Sequence, residues 1–158
     1  MKFAVSKPTS SPHLSESTSE DESSLAELIL EQIADAVIYA DVTGTITRWN
    51  HAAAALFGYS TSEALGQRLD LIIPEHLRAA HWGGFEAAMT NGVMKLQGRP
   101  TLTRAMHQTG GKLYVEMTFA LVKGQAGGSA CGAVAVARDV TERIGQQRAS
   151  ASPKVTGG

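Results

Sequence analysis

Residues 36–50 read AVIYADVTGTITRWN, and this stretch sets the architecture of the chain. Residues 36–40 are a short apolar run, which predicts a buried strand, and residues 45–49 alternate between apolar and polar positions, which predicts a second strand. The turn between them ends in Gly44, which can adopt the positive φ that a tight turn requires. We therefore expect an antiparallel hairpin, with Asn50 as the N-cap of a helix that follows it.

Short helices are predicted on both sides of this hairpin. Residues 51–57 form an alanine-rich helix that a glycine ends, and residues 60–63 have the spacing of a capping box. Pro74 opens a longer helix that ends near residues 91–92. Before the hairpin, apolar residues at helical spacing predict an amphipathic opening helix: Leu25, Leu28, Ile29 and Ile33.

Three further strands are predicted after the long helix. They cover residues 96–106, 112–122 and 130–138, with Gly110 and Gly111 in the first connection. The order is therefore two strands, several short helices and three strands. This order predicts the α+β class, with an antiparallel sheet and the helices gathered on one face.

Composition excludes several classes of function. The chain has 158 residues, a formal net charge of -1 and no basic stripe, so neither nucleic acid nor an anionic membrane surface is an expected partner. Its single cysteine, Cys131, rules out an internal disulfide and a multi-cysteine zinc site. Because there is no signal peptide and no apolar run of membrane-spanning length, we expect a soluble cytoplasmic protein.

One folded unit between two tails is expected from the distribution of apolar residues. Residues 1–24 are rich in serine, threonine and acidic residues, which predicts disorder because such a segment buries too little surface to offset its ordering entropy. Residues 145–158 are similarly polar and predict a flexible C-terminal tail. Residues 25–144 then form the domain.

An ordered set of motifs in residues 45–143 resembles the PAS domain family. The resemblance implies a five-stranded antiparallel sheet with strand order 2-1-5-4-3 and a ligand pocket between the sheet and the helices. The motifs are Thr45-Ile46-Thr47-Arg48-Trp49-Asn50, Leu56-Phe57-Gly58-Tyr59-Ser60, Glu63-Ala64-Leu65-Gly66 and Arg138-Asp139-Val140-Thr141-Glu142-Arg143.

Residues 73–81 read IPEHLRAAH and are similar to the haem-ligand helix of two groups of PAS oxygen sensors. These are the rhizobial oxygen-sensor kinases and the direct oxygen sensor phosphodiesterase. The resemblance implies that His81 binds the iron of haem b on its proximal side. His76 lies about 140° away around the helix, so the two imidazoles cannot both face one pocket. Gly83 and Gly84 would leave room for a flat macrocycle.

The distal side departs from the phosphodiesterase sensor. That sensor has a methionine ligand where this chain has Arg99 and an arginine where it has Thr101, so His/Met ligation at that place is in doubt. Both residues lie on the predicted strand of residues 96–106, two positions apart, so their side chains share a face, and Arg99, or alternatively Thr101, could donate a hydrogen bond to bound dioxygen. Met94 and Met106 are alternative distal ligands, although both also fit as core residues.

The fourth predicted strand supplies further lining residues. Its apolar residues alternate, which first of all indicates core, and in a PAS fold the same face lines the pocket. Met117 and Phe119 are therefore candidate cofactor-binding residues. Possible partners for haem propionates, which the sequence does not rank, are Arg78, Lys95 and Arg104.

The sequence thus favours a haem-binding PAS sensor of dioxygen or another diatomic gas, and not an enzyme, because no nucleophile–base–acid set can be assembled. Two alternatives stay open: a cofactor-free interaction module that dimerises through the opening helix and the outer sheet face, and a binder of flavin or a small metabolite. A flavin–thiol photosensor is excluded by the position of Cys131 in the last strand. Because the chain ends soon after Arg143, we expect the signal to pass to a homodimer or a separate signalling protein, unless the sequence is a fragment.

Overall fold

The computed structural model describes residues 17–151 as five strands and a set of helices. Two 3-10 turns, Leu69–Leu71 and Gln125–Gly127, complete the regular structure. In chain order the main elements are α1 Ser17–Gln32, β1 Ala36–Asp41, β2 Ile46–Trp49, α2 His51–Phe57, α3 Thr61–Ala64, α4 Glu75–Asn91, β3 Thr101–Met106, β4 Lys112–Lys123, β5 Ala130–Asp139 and α5 Thr141–Ala151.

All five strands form one antiparallel sheet in the order β2-β1-β5-β4-β3, as predicted. The long pairings are central, where Ile38 lies opposite Ala135 and Met117 lies opposite Ala137. Alternation along each strand directs one set of residues into the core. That core lies against the inner face of the sheet and also contains Phe57 from α2.

Asn50 joins three elements and is itself almost fully buried. Its Oδ1 accepts the backbone N–H of Ala53, which caps α2 as predicted, and that of Val37 in β1. Its Nδ2 donates to the backbone carbonyls of Leu30 and Asp35. One side chain therefore connects α1, the start of β1 and α2. The capping box between residues 60 and 63 is also present.

The strand predicted over residues 96–106 begins only at Thr101. Residues 95–98 form a turn that includes an isolated bridge at Gln97, and Gly98 has φ +67 with its N–H donating to the carbonyl of Phe119. Pro100 has no N–H to contribute to a ladder. The edge of β4 beyond Met117 is therefore covered by this turn and an isolated bridge at Phe119, not by a longer β3.

Helices extend into both segments that were predicted to be tails. Helix α1 begins at Ser17, inside the predicted tail of residues 1–24, and α5 continues to Ala151, inside that of residues 145–158. Local contacts support the second helix, since Gln146 donates to Glu142 one turn earlier and Arg148 donates to the Tyr114 hydroxyl. The rest of the two predicted tails, residues 1–16 and 152–158, lies outside the described residues.

No helix within residues 17–151 combines the length and the apolar character that crossing a membrane requires. Helix α1 instead leaves apolar side chains on the surface. Leu25, Leu28 and Ile29 are each more than half exposed, and Ile33 just beyond the helix is also exposed.

Candidate functional site

A cavity of about 760 Å³ lies between the inner face of the sheet and α4. Its lining is predominantly apolar and comes from β1, β3, β4, β5, α4, the residues 69–73 before α4 and the segment that joins α4 to β3. Such a volume falls within the range of small-molecule sites, about 300–1,000 Å³. The central lining residues are Ile38, Ala40, Leu69, Ile72, His81, Phe85, Ala88, Met117, Phe119, Ala133 and Ala135.

Small residues on both walls leave this space open. On the sheet side, Ala133 and Ala135 of β5 lie at the cavity where larger side chains would fill it. On the helix side, a Cβ atom built on Gly83 or Gly84 would meet nothing within 4 Å. The two glycines weaken α4 by about 1 kcal/mol each relative to alanine, so the opening is obtained at a cost in helix stability.

His81 is a polar side chain in this apolar wall. The residue is half-buried, and its Nδ1 is buried and has no hydrogen-bond partner among the described residues. Burial lowers the pKa of the imidazole below its usual value, and the negative charge of Asp70 only partly opposes that shift. The ring is therefore neutral at physiological pH and carries a free lone pair on one nitrogen.

Two aromatic side chains of α4 contact the imidazole. The ring centroids of His81 and Trp82 are 5.0 Å apart in an edge-to-face arrangement, and the Phe85 ring is stacked at 6.0 Å. His76, five residues earlier on the same helix, is exposed and does not line the cavity. Only one of the two imidazoles thus belongs to this site.

Groups of three or more His, Cys, Asp or Glu side chains that could hold a metal ion do not occur in the part of the chain that the structure describes. A single imidazole binds a metal firmly when the metal brings its remaining ligands with it. Haem iron does so, because the macrocycle supplies four nitrogens and the protein supplies the axial ligand. The donor set and the apolar lining therefore fit haem.

Comparison with known proteins agrees with this architecture. The family model described as "PAS domain" matches residues 34–142, which is most of the chain. The chain belongs to the PAS domain family. The crystal structure of a PAS domain from Colwellia psychrerythraea has a TM-score of 0.66 and 23% sequence identity, and the match covers 78% of this chain and 100% of that one. The five-stranded sheet with helices on one side is thus the PAS fold.

Two curated relatives of this PAS domain are signalling proteins by name. The sensor protein FixL of Bradyrhizobium diazoefficiens is 43% identical over 53 residues, which is 34% of this chain and 10% of FixL. The cell-division control histidine kinase PdhS of Brucella abortus is 30% identical over 116 residues, which is 72% of this chain and 10% of PdhS. The chain therefore spans a small part of each relative, and its homologues include a histidine kinase.

The predicted distal residues do not lie where the sequence placed them. Arg99 is exposed in the turn before β3, so it does not share a strand with Thr101, and neither residue is in the cavity lining. The N–H of Arg99 donates to the carbonyl of Leu96 within this turn, so it takes no part in the sheet. The hydroxyl of Thr101 donates to the carbonyl of Arg99 and thereby closes this turn. The placement of Arg99 on a strand was therefore wrong, and its role as a distal donor stays a prediction that its position outside the cavity lining does not favour.

The other predicted lining residues, Met117 and Phe119, do meet His81 in one cavity. Of the two alternative methionines, Met94 lines the cavity and Met106 does not. Sequence reasoning missed Thr103, a polar lining residue that lies two positions after Thr101 and two before buried Ala105. The alternation of β3 identifies Thr103 once the true start of the strand is known.

The three cationic residues suggested as propionate partners differ in their position relative to the cavity. Arg78 lies against Asp70, 3.5 Å away, and donates to the carbonyls of Asp70 and Ile73. Arg104 contributes to the lining, but it is exposed and alternates with buried Ala105, so its side chain belongs to the outer face of β3. Lys95, in the segment between α4 and β3, lines the cavity and is exposed. It is the best placed of the three.

Proposed function

We propose that this PAS domain is a haem-binding sensor of dioxygen or another diatomic gas, with His81 as the protein ligand of the iron. One observation carries the proposal: a neutral imidazole with an unpartnered buried nitrogen lies in the wall of an apolar cavity. Leaving a buried polar atom without a partner costs about 1–3 kcal/mol, and such sites call for an explanation in function. An imidazole without a hydrogen-bond partner in an apolar wall is available to bind haem iron as its axial ligand.

Other residues of the cavity lining would contact the macrocycle and its propionates. Met117 and Phe119 on β4 and the small residues of β5 would pack on the faces of the macrocycle, and Gly83 and Gly84 would allow it to approach α4. Lys95 would pair with a propionate at the edge of the cavity. When bound, haem supplies an iron site at which a diatomic gas binds reversibly.

Strand β4 offers a route from the cavity to the C-terminal helix. Met117 and Phe119 line the cavity, and the same strand is bonded to the start of α5. The N–H of Tyr114 donates to the Thr141 hydroxyl, and Arg143 pairs with Glu116 at 3.2 Å. A ligand that favours one packing of β4 would therefore bias the position of α5, which is a population shift between two states. We propose that the chain acts as a sensor in the cytoplasm and is not itself an enzyme.

Visible spectroscopy of the protein expressed with haem tests the proposal. We expect a Soret band in the wild type and in His76→Ala, and its loss in His81→Ala. The two histidines lie on one helix and differ in whether they reach the cavity, so His76→Ala is the matched control. Absence of the band from a folded wild type, or its survival in His81→Ala, would contradict haem ligation by His81. A yellow protein with a flavin spectrum would favour a flavin binder.

A second candidate, a dimerisation module, is favoured by the exposed apolar face of α1. Burial of Leu25, Leu28 and Ile29 against a second copy would remove this surface from water at about 25 cal/mol per Å². Sedimentation of the wild type, Ile29→Glu and Glu31→Lys tests it, because Glu31 is exposed and lies off the apolar face. Dissociation of a dimer by Ile29→Glu alone would support the module, and a monomeric wild type would exclude it. Haem binding and dimerisation are compatible. The visible spectrum therefore tests haem binding, and sedimentation separately tests dimerisation.

A further inference from the structure

Trp82, the residue after His81, makes contacts that the haem proposal does not use. Its indole Nε1–H donates to Oδ1 of Asp70 at 2.9 Å. The Arg68 guanidinium lies over the same indole, with Cζ 4.1 Å from the ring centroid, in cation–π geometry. Asp70 therefore contacts the indole at its edge, and Arg68 contacts it over its face.

Asp70 is in turn held by two cations. Its carboxylate lies 3.7 Å from Nε of Arg68 and 3.5 Å from Nε of Arg78. Arg78 also donates to the backbone carbonyls of Asp70 and Ile73. The acceptor of the indole N–H is thus tied to the 3-10 turn Leu69–Leu71 and to α4 itself, so the position of the indole is determined by several contacts.

The imidazole of His81 packs on the indole of Trp82. Its ring plane is 82° from that of Trp82, and Phe85 contacts both, at 5.6 Å from the indole and 6.0 Å from the imidazole. Because Nδ1 of His81 has no hydrogen-bond partner among residues 17–151, no polar contact of that atom sets the ring plane. The contacts given for this ring are the aromatic ones with Trp82 and Phe85, which can orient it.

We propose that Trp82 is the positioning residue for His81, fixing the plane of the imidazole at the cavity wall through its hydrogen bond to Asp70. Metal-ligating histidines are usually oriented by a hydrogen bond from their second nitrogen. Here an aromatic contact, itself fixed by a carboxylate, takes that role. Any effect of this orientation on a bound haem iron rests on the proposed function. The orientation of the ring itself can be measured in the haem-free chain.

Four variants separate positioning from general structural damage. Trp82→Phe and Asp70→Ala each remove the hydrogen bond that holds the indole, the first through the donor and the second through the acceptor. Asp70→Asn keeps an acceptor oxygen and is the conservative rescue. Trp49→Phe is the matched control, because it deletes the other indole, whose Nε1–H donates to the Tyr59 carbonyl at 3.1 Å in the core away from the cavity lining.

The first readout is NMR of the haem-free protein with labelled histidine. In the wild type, Asp70→Asn and Trp49→Phe, we expect one set of His81 imidazole signals with a nuclear Overhauser contact to the Phe85 ring. In Trp82→Phe and Asp70→Ala, we expect the signals to shift or broaden and the contact to be lost. The second readout is electron paramagnetic resonance of the ferric haem-loaded protein, where we expect one set of g values to become broadened or multiple in the same two variants.

The outcomes separate this proposal from haem binding. Wild-type His81 signals in folded Trp82→Phe and Asp70→Ala would overturn the positioning role, whatever the haem spectrum. If Trp82→Phe does not fold, Asp70→Ala decides, because it leaves all three rings in place. A wild type without a Soret band would refute the haem proposal, and the NMR readout would still decide whether Trp82 orients His81.

Discussion

A Cβ atom on Gly44 would overlap the six-membered ring of Trp82. Gly44 lies in the turn between β1 and β2 at φ +78, and the Asp41 carboxylate stabilises that turn by accepting the backbone N–H groups of Thr43 and Thr45. The helix that carries His81 therefore rests on the hairpin through contact between a glycine and an indole. Any side chain at residue 44 must displace the indole or the turn.

We expect Gly44→Ala to be destabilising for two reasons, positive φ and this overlap. Gly66 supplies the matched control, since it has φ +82 but a built Cβ would meet nothing within 4 Å. Gly66→Ala should cost about 1–2 kcal/mol from backbone conformation alone. Gly44→Ala should cost roughly 1–3 kcal/mol more from overpacking. Urea unfolding measures both.

A double-mutant cycle identifies the indole as the cause of the excess. In a Trp82→Leu background the ring is absent, so the penalty of Gly44→Ala should fall to that of Gly66→Ala. Equal penalties for the two glycines in the wild-type background would show that the turn or the helix adjusts without cost.

Asn50 should be among the most sensitive positions in the fold. Asn50→Ala removes the N-cap of α2, worth about 1 kcal/mol, and leaves the buried N–H of Val37 without its acceptor, worth about 1–3 kcal/mol more. Ser60→Ala removes the exposed N-cap of α3 and should cost only about 1 kcal/mol. Thermal or urea unfolding of both variants gives the comparison, and similar losses would contradict the role of Asn50 as a junction of three elements.

The sequence alone predicted those elements whose formation depends on neighbouring residues in the chain. The hairpin of residues 36–49, the cap at Asn50 and the helix from Pro74 follow from periodicity, capping and glycine placement. The strand order came from the family resemblance and is confirmed. These features are set within a few residues of chain or are shared by the whole fold.

Contacts between distant segments were not visible in those signals. The late start of β3 depends on Gly98 bonding to Phe119, and the contact of Trp82 with Gly44 joins residues from separate elements. Periodicity carries no information on such pairings, so Arg99 was placed on a strand that begins two residues later. The environment of His81 likewise required coordinates, because helix position alone does not show whether a ring nitrogen finds a partner.

Lys95 lines the cavity and Arg99 does not, so the two residues should differ in their effect on a bound haem. If haem occupies the cavity, Lys95→Ala should release haem to an acceptor protein about two- to fivefold faster, the effect of losing an exposed ion pair of up to about 1 kcal/mol. Arg99→Ala should leave haem release and the oxygen dissociation rate unchanged, because Arg99 lies outside the cavity lining. A faster oxygen dissociation in Arg99→Ala would show that the turn at Gly98 rearranges in the loaded protein.

The ion pair between Asp35 and Arg138 predicts a specific dependence of stability on pH. Nε and Nη2 of Arg138 donate to the two carboxylate oxygens of Asp35 at 3.0 and 2.6 Å, which ties β5 to the residue before β1. The hydrogen bond from Arg138 lowers the pKa of Asp35 below its usual value. The folded state therefore releases this proton at a lower pH than the unfolded state, whose aspartate pKa is about 3.9.

The contribution of the pair is accordingly present above about pH 4 and is lost as the pH falls through the lowered pKa of Asp35. Because both side chains are partly exposed, we expect Asp35→Asn to lose only about 0.5–1 kcal/mol at pH 7, and the difference from wild type to shrink toward zero in acid. Urea unfolding from pH 7 to pH 2 measures it. In an Arg138→Gln background the same substitution should have little effect at either pH, and a constant loss across the titration would mean that the charge of Asp35 is not what stabilises the fold.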